Sequence, residues 1–375
     1  MEALHHEFQD FGVLIDRRSM PLASQLIKVF TPSFADDAGT NAQNLTVKEV
    51  VARLDPERFQ VTMFCEKEPD PRIAARPNTI LWPWKKRGNT LRSLLRMFLD
   101  VPDVYFFPRE GPLDERFLSL RRRLRWHTPL VTYIVSGGLD RVAPRPGQLR
   151  NLQEASAVYG NCKYVTHLLT DKLGFRADTI YDGVDRRYYF PPRSKRDEAG
   201  QRLIVLCAGS LRPYKRVDLV VRQAARWPQV DFRIAGTGEE EESCRRLAAE
   251  LGCTNVHFLG HLPQAALGDE MRRADIFLFP SELEGHPQVL LQAAGCGLPC
   301  VAMNAYHPDA VVDGETGFLV GSADELAEKF DVLVQDSALR IAMSQAAELH
   351  STQFDWDQVA GQWAGAFEKV TGVSA

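Results

Sequence analysis

The chain has 375 residues, 45% hydrophobic and 25% charged, which is enough to bury two ordinary cores. A net charge of -4 is small for that length, so the overall electrostatics recruit neither a nucleic acid nor a membrane. The seven cysteines are odd in number and scattered, with no Cys-x-x-Cys pair, which argues against a disulfide framework and a zinc site and suits a reducing cytosol.

Glu2, Glu7, Asp10 and Asp16 interrupt the first 25 residues, the wrong pattern for a secretory signal. No apolar run is long enough to span a bilayer, so a cytoplasmic chain is expected. Strands are predicted at Leu26 to Phe30, Val61 to Cys65, Val104 to Phe107 and Leu130 to Val135. Between residues 80 and 126 stand eleven Lys and Arg against five Asp and Glu, including Trp82-Pro83-Trp84-Lys85-Lys86-Arg87 and Arg121-Arg122-Arg123-Leu124-Arg125-Trp126. Basic residues beside tryptophans can dock on an anionic inner-membrane face; the alternative is a solvated helix face over core aromatics. Asp182-Gly183-Val184-Asp185 and the turn-forming, charged stretch from Pro191 to Asp197 mark the expected boundary between two domains.

The second half repeats the alternation, with strands predicted at Leu203 to Cys207, Val230 to Ile234, Val256 to Leu259, Ile276 to Phe279 and Pro299 to Met303, and a helix at Glu240 to Leu251. Such alternation predicts an α/β chain of two doubly wound, Rossmann-like parallel sheets covered by helices on both faces. Ligands bind such sheets at the carboxyl ends of the strands. After the first of these strands come Gly209, Ser210, Arg212, Lys215 and Arg216, cations that suit a pyrophosphate; a solvated basic turn is the bland alternative. The run from Phe279 to Gly297 reads as strand, tight loop and helix, with Pro287 in the first helical turn and Glu284 just outside the helix N-terminus, where free N–H groups can face an anion. A plain helix cap would account for Glu284 but not for Gly285. Gly236-Thr237-Gly238 lacks a full G-x-G-x-x-G and precedes four glutamates, so it is a close-approach turn beside the nucleoside rather than a phosphate loop. Asp355-Trp356-Asp357 opens the terminal helix, predicted from Phe354 to Val370, and reads as a cap; no metal and no cofactor are expected.

Taken together these loops resemble glycosyltransferase family 4, the retaining enzymes of the GT-B fold. The resemblance is specific over residues 203 to 320, through Gly209 with Lys215, Ile234 to Gly238, Val256 to Gly260, Ala274 to Ser281, Glu284-Gly285 to Pro299, and Val311 to Val320. It is looser over the first 180 residues, where strand order and the Asp37 to Asn44 loop carry it. The resemblance implies an acceptor-side domain over residues 1 to 183, joined by a terminal helix within 354 to 375, and a nucleotide-sugar domain over 184 to 353. It implies that Lys215 contacts the donor phosphates and that Glu284 holds donor sugar hydroxyls. Backbone from Gly285 through His286, Pro287, Gln288 and Val289 would face sugar and phosphate, with Gly236, Gly238 and Gly260 also on the donor side. Gln292 replaces the glutamate that usually binds the ribose, which weakens binding without abolishing activity. Ser210 stands in place of the usual arginine, leaving Arg212 or Arg216 as the second cation. Gly39, Thr40, Asn41, Ser136 and Gly137 fall on the acceptor side, with no histidine where one usually stands near the reacting centre.

The expected activity is retaining, metal-independent transfer of a hexose-type sugar from a UDP- or GDP-sugar, the substrate rather than a cofactor, to a glycan, lipid-linked or small-molecule hydroxyl. No nucleic acid takes part. The competing expectation is a non-catalytic sugar-nucleotide-binding or scaffold subunit, and a GT-B epimerase is a weaker third.

Overall fold

Apolar, β-branched runs too short for helices can be fully buried only as strands covered on both faces. In the computed structural model, which describes residues 26–37, 42–84, 88–108, 110–135, 143–192 and 202–373, they form two such sheets. The first contains β1 (Ile27–Phe34), β2 (Phe59–Cys65), β3 (Thr79–Pro83), β4 (Val104–Phe106), β5 (Leu130–Ile134), β6 (Ala157–Gly160) and β7 (Asp178–Thr179). Its spatial order is β3-β2-β1-β4-β5-β6-β7. The second contains β8 (Ile204–Ala208), β9 (Asp231–Ala235), β10 (Val256–Gly260), β11 (Ile276–Phe279), β12 (Cys300–Met303) and β13 (Gly317–Val320), in the order β10-β9-β8-β11-β12-β13. All the ladders are parallel. The doubly wound architecture expected of the sequence is present twice.

Strands β3, β6, β7 and β13 were not predicted, for identifiable reasons. Thr79–Pro83 is an edge strand that ends on a proline, β7 has two residues, and Ala157–Gly160 and Gly317–Val320 have four each. β6 and β13 each carry a glycine within their four residues, which breaks the apolar run that marks the equally short Ile276–Phe279.

Helices cover both sheets, and the last one, Trp356–Thr371, packs on the first sheet although it follows the second in the chain. Asp355 caps it by accepting from the Asp357 N–H at 2.9 Å, and Asp357 in turn pairs with Arg53 at 2.7 Å. Trp363 anchors the contact: it is fully buried, with ring centroids 4.7 Å from Phe106, 5.0 Å from Tyr133 and 5.2 Å from Tyr159. The chain passes from the first sheet to the second beside this helix. The Val184 N–H donates to the Phe354 carbonyl at 2.7 Å, and a Cβ on Gly183 would lie 2.3 Å from the Trp356 indole, so only glycine fits there.

Candidate functional site

The order of the second sheet reverses between β8 and β11, which brings the loops leaving these two strands together at the carboxyl edge. One backbone hydrogen bond joins them, from the Glu282 N–H to the Tyr214 carbonyl at 2.8 Å. The Lys215 ammonium is ion-paired with Glu284 Oε1, and Ser281 Oγ donates to the same oxygen at 2.7 Å. Side-chain exposures of 13% for Lys215 and 14% for Glu284 leave the pair partly desolvated but not sealed from solvent. The ammonium also lies 5.1 Å from the Phe279 ring and 5.6 Å from the Tyr214 ring, whose electron-rich faces favour a cation there.

Of the two arginines open as second cation, Arg216 is already engaged: it pairs with Glu282 and with Asp218 at 3.1 Å. Arg212 is exposed and has no carboxylate partner among the described residues. Ser210 lies beside it in the loop, which Gly209 opens at φ +149°.

The glycines of this edge are explained by backbone meeting backbone. A Cβ on Gly236, at φ +133°, would sit 1.8 Å from the Gly209 carbonyl oxygen, and one on Gly238 would sit 2.2 Å from that of Leu211. Hydrogen bonds from the Gly209 N–H to Ala235, from the Leu211 N–H to Thr237 and from the Gly236 N–H to Gly260 complete the lacing, at 2.7 to 2.9 Å. The close approach expected at Gly236-Thr237-Gly238 is therefore to the neighbouring loop. Gly260 ends β10 at φ +68° with open space around it.

Helix Gln288–Gly295 begins one residue later than expected, because Pro287, at ψ 114°, is the N-cap. Its first-turn N–H groups, those of Gln288 and Val289, have no carbonyl one turn back and present the positive end of the helix dipole. One turn deeper, the buried Gln292 Oε1 has no hydrogen-bond partner among the described residues. His286 is turned inward, with 0% side-chain exposure, its ring between Tyr181 at 5.7 Å and Phe354 at 6.0 Å. Cys162, from the first half, directs its thiol to the Gly285 carbonyl at 3.7 Å.

Three residues at this place were given no role in the site by the sequence reading. Ser281 braces Glu284. Tyr306, in the loop after β12, is 2% exposed with an unpartnered hydroxyl, its phenol pushed up first by burial and then by the charge of Glu284. Asp182, at the crossing between the sheets, is buried under four polar neighbours; burial raises its pKa, but His286, Asn161 and Thr46 outweigh that and leave it lowered. Tyr306 and Asp182 act through contacts distant in sequence, which have no characteristic spacing. The acceptor-side residues Gly39, Thr40, Asn41, Ser136 and Gly137 lie outside the described residues, in the stretches beyond the ends of β1 and β5.

Residues 192–350 match the family described as glycosyl transferases group 1. Among curated relatives, the D-inositol 3-phosphate glycosyltransferase of Kribbella flavida is 28% identical over 291 residues, covering 68% of this chain and 69% of that protein. The enzyme of the same name from Mycobacterium leprae is 33% identical over 213 residues, covering 52% of this chain and 50% of that one. The chain thus spans about half the length of the second relative. Among solved structures, sucrose-phosphate synthase from Thermosynechococcus elongatus superposes with a TM-score of 0.71 at 19% identity, over 93% of this chain and 100% of that one. HepE from Anabaena, solved in complex with UDP, gives 0.72 at 18% identity, over 92% and 100%.

Proposed function

Taking the chain as what its family match and fold make it, a GT-B glycosyltransferase related to the D-inositol 3-phosphate enzymes, we propose that it transfers a hexose-type sugar from a UDP- or GDP-sugar to a hydroxyl acceptor with retention at the anomeric carbon. The observation that carries the proposal is the convergence of Lys215, Glu284 and a helix N-terminus at the reversal of the second sheet. In this reading the diphosphate of the donor lies between Arg212, Lys215 and the N–H groups of Gln288 and Val289. Charge that develops on the leaving group meets cations already in place, so little reorganisation is needed at the moment of bond breaking. Glu284, held by Lys215 and Ser281, accepts from donor sugar hydroxyls, and Gln292 accepts from the ribose. The acceptor approaches from the first sheet.

Liganded donor raises stability by mass action, about 2.7 kcal/mol at a hundredfold excess over Kd. A melting screen over UDP- and GDP-sugars should show one nucleotide class raising the transition in the native chain and failing to do so in Lys215→Met. Equal shifts in both proteins would remove the site from this place.

Contact with an anionic membrane surface belongs to the same reading. Helix Asn89–Leu99 buries Ser93, Leu94 and Met97, yet turns Leu91, Leu95, Phe98 and Leu99 outward at 58% to 70% exposure. These four fall on one stripe of the helix, and Arg92 and Arg96 flank it. The neighbouring helix Pro112–Leu124 ends in Arg121, Arg122 and Arg123. An apolar stripe bordered by arginines matches a bilayer carrying anionic headgroups. The tryptophans are half-buried beside this stripe: Trp82 and Trp84 pack on Phe64, Trp82 also faces the Arg96 guanidinium, and Trp126 packs on Phe117 and Phe98. Lys85, Lys86 and Arg87 lie outside the described residues.

A further inference from the structure

The crossing between the two sheets and the loop that holds Glu284 meet at one carboxylate. Asp182 Oδ1 accepts from Thr46 Oγ1 at 2.9 Å and from the Tyr133 hydroxyl at 3.1 Å, and Oδ2 accepts from Asn161 Nδ2 at 2.9 Å. All three donors belong to the first half: Thr46 to helix Ala42–Arg53, Tyr133 to β5, and Asn161 to the turn after β6. The fourth neighbour belongs to the second half. His286 Nδ1 stands 3.9 Å from Asp182 Oδ2, and His286 lies two residues beyond Glu284, next to the helix N-terminus.

His286 is fully buried, and neither of its ring nitrogens has a hydrogen-bond partner among the described residues. Burial without a partner is unfavourable for an imidazole, and the aromatic rings of Tyr181 and Phe354 offer it none. Among the described residues its ion-pair partner is Asp182, about 1 Å beyond hydrogen-bond distance. The same seam carries two more contacts between the halves: the Cys162 thiol to the Gly285 carbonyl at 3.7 Å, and the Lys163 N–H to Asp309 Oδ2 at 2.7 Å. The Gly285 carbonyl is thus touched from the first half of the chain.

We propose that Asp182 and His286 are a positioning pair that couples the donor loop to the crossing between the domains. A small closing movement makes the Nδ1–H to Oδ2 hydrogen bond and locks the Gly285–Val289 backbone in the arrangement that receives the donor diphosphate. The proposal rests on the reading of that loop as the diphosphate cradle. It makes the loop competent only when both halves of the chain are engaged, and a fraction of unlocked molecules lowers apparent affinity in proportion.

Two substitutions at His286 separate positioning from packing. His286→Phe keeps the ring between Tyr181 and Phe354 and removes the donor; His286→Asn loses the ring but keeps an N–H close to where Nδ1 stood. UDP and GDP would be titrated calorimetrically into the native chain, both variants and Lys215→Met, with melting temperatures and amide exchange over residues 284–292 alongside. For whichever nucleotide binds the native chain, His286→Phe should bind about tenfold more weakly with faster exchange in the loop, and His286→Asn should stay within about threefold. Stability should rank the other way, with the asparagine variant melting lower. Affinities that follow the melting order, or a phenylalanine variant that binds like the native chain, overturn the pair while leaving the Lys215-dependent site intact. Binding of neither nucleotide, or binding untouched by Lys215→Met, overturns the donor site and the pair with it.

Discussion

Replacing Lys215 by methionine keeps most of the side-chain volume and removes the charge. An ammonium about 4 Å from a phosphate oxygen is worth roughly 4 kcal/mol at an effective dielectric near 20. That is an upper figure here, because Lys215 already holds Glu284 and must share its charge with the incoming diphosphate. Halving it leaves about 2 kcal/mol, so kcat/KM should fall between about thirtyfold and a thousandfold. The substitution also strands Glu284, whose remaining donor is Ser281 at 2.7 Å, and the melting temperature should fall as well. The double variant Lys215→Met with Glu284→Gln removes the stranded charge. Donor turnover, read as release of UDP or GDP, and thermal melting should therefore part company: the second substitution restores stability and leaves activity at or below that of the single variant. Activity within about threefold of the native chain after Lys215→Met, or activity that returns together with the melting temperature, would refute the reasoning.

Three further outcomes are expected. Gly236→Ala places a Cβ 1.8 Å from the Gly209 carbonyl at a φ that an L residue avoids, so the Gly209 and Gly236 loops must separate; nucleotide binding measured by calorimetry should be lost even where circular dichroism stays native. Trp363→Ala empties the centre of an aromatic cluster and should cost about 3–5 kcal/mol in urea unfolding. Leu95→Glu with Phe98→Glu puts two carboxylates on the exposed stripe of Asn89–Leu99, and co-sedimentation with phosphatidylserine vesicles should be abolished with the melting temperature unchanged; sedimentation equal to that of the native chain would dismiss the membrane contact.

Much of this molecule is written in short-range pattern. Apolar runs such as Ile276–Phe279 and Cys300–Met303 can be satisfied only between two covering layers, so two parallel α/β sheets follow from the sequence alone. The same holds for the loops to inspect, because glycines and cations that follow a strand must emerge at its carboxyl end. What residue order cannot express is which of those ends become neighbours. Lys215 and Glu284 stand 69 positions apart and meet because β11 pairs with β8, a choice made by the packing of the whole sheet. That packing also assigns the charges, giving Arg216 to Glu282 and Asp218 while leaving Arg212 exposed. It explains Gly236 by a carbonyl 27 residues earlier, and it buries the His286 side chain near Asp182. Periodicity records only whether a side chain is buried; with whom it is buried is decided when distant segments compete for the same space, and that decision exists only in the folded chain.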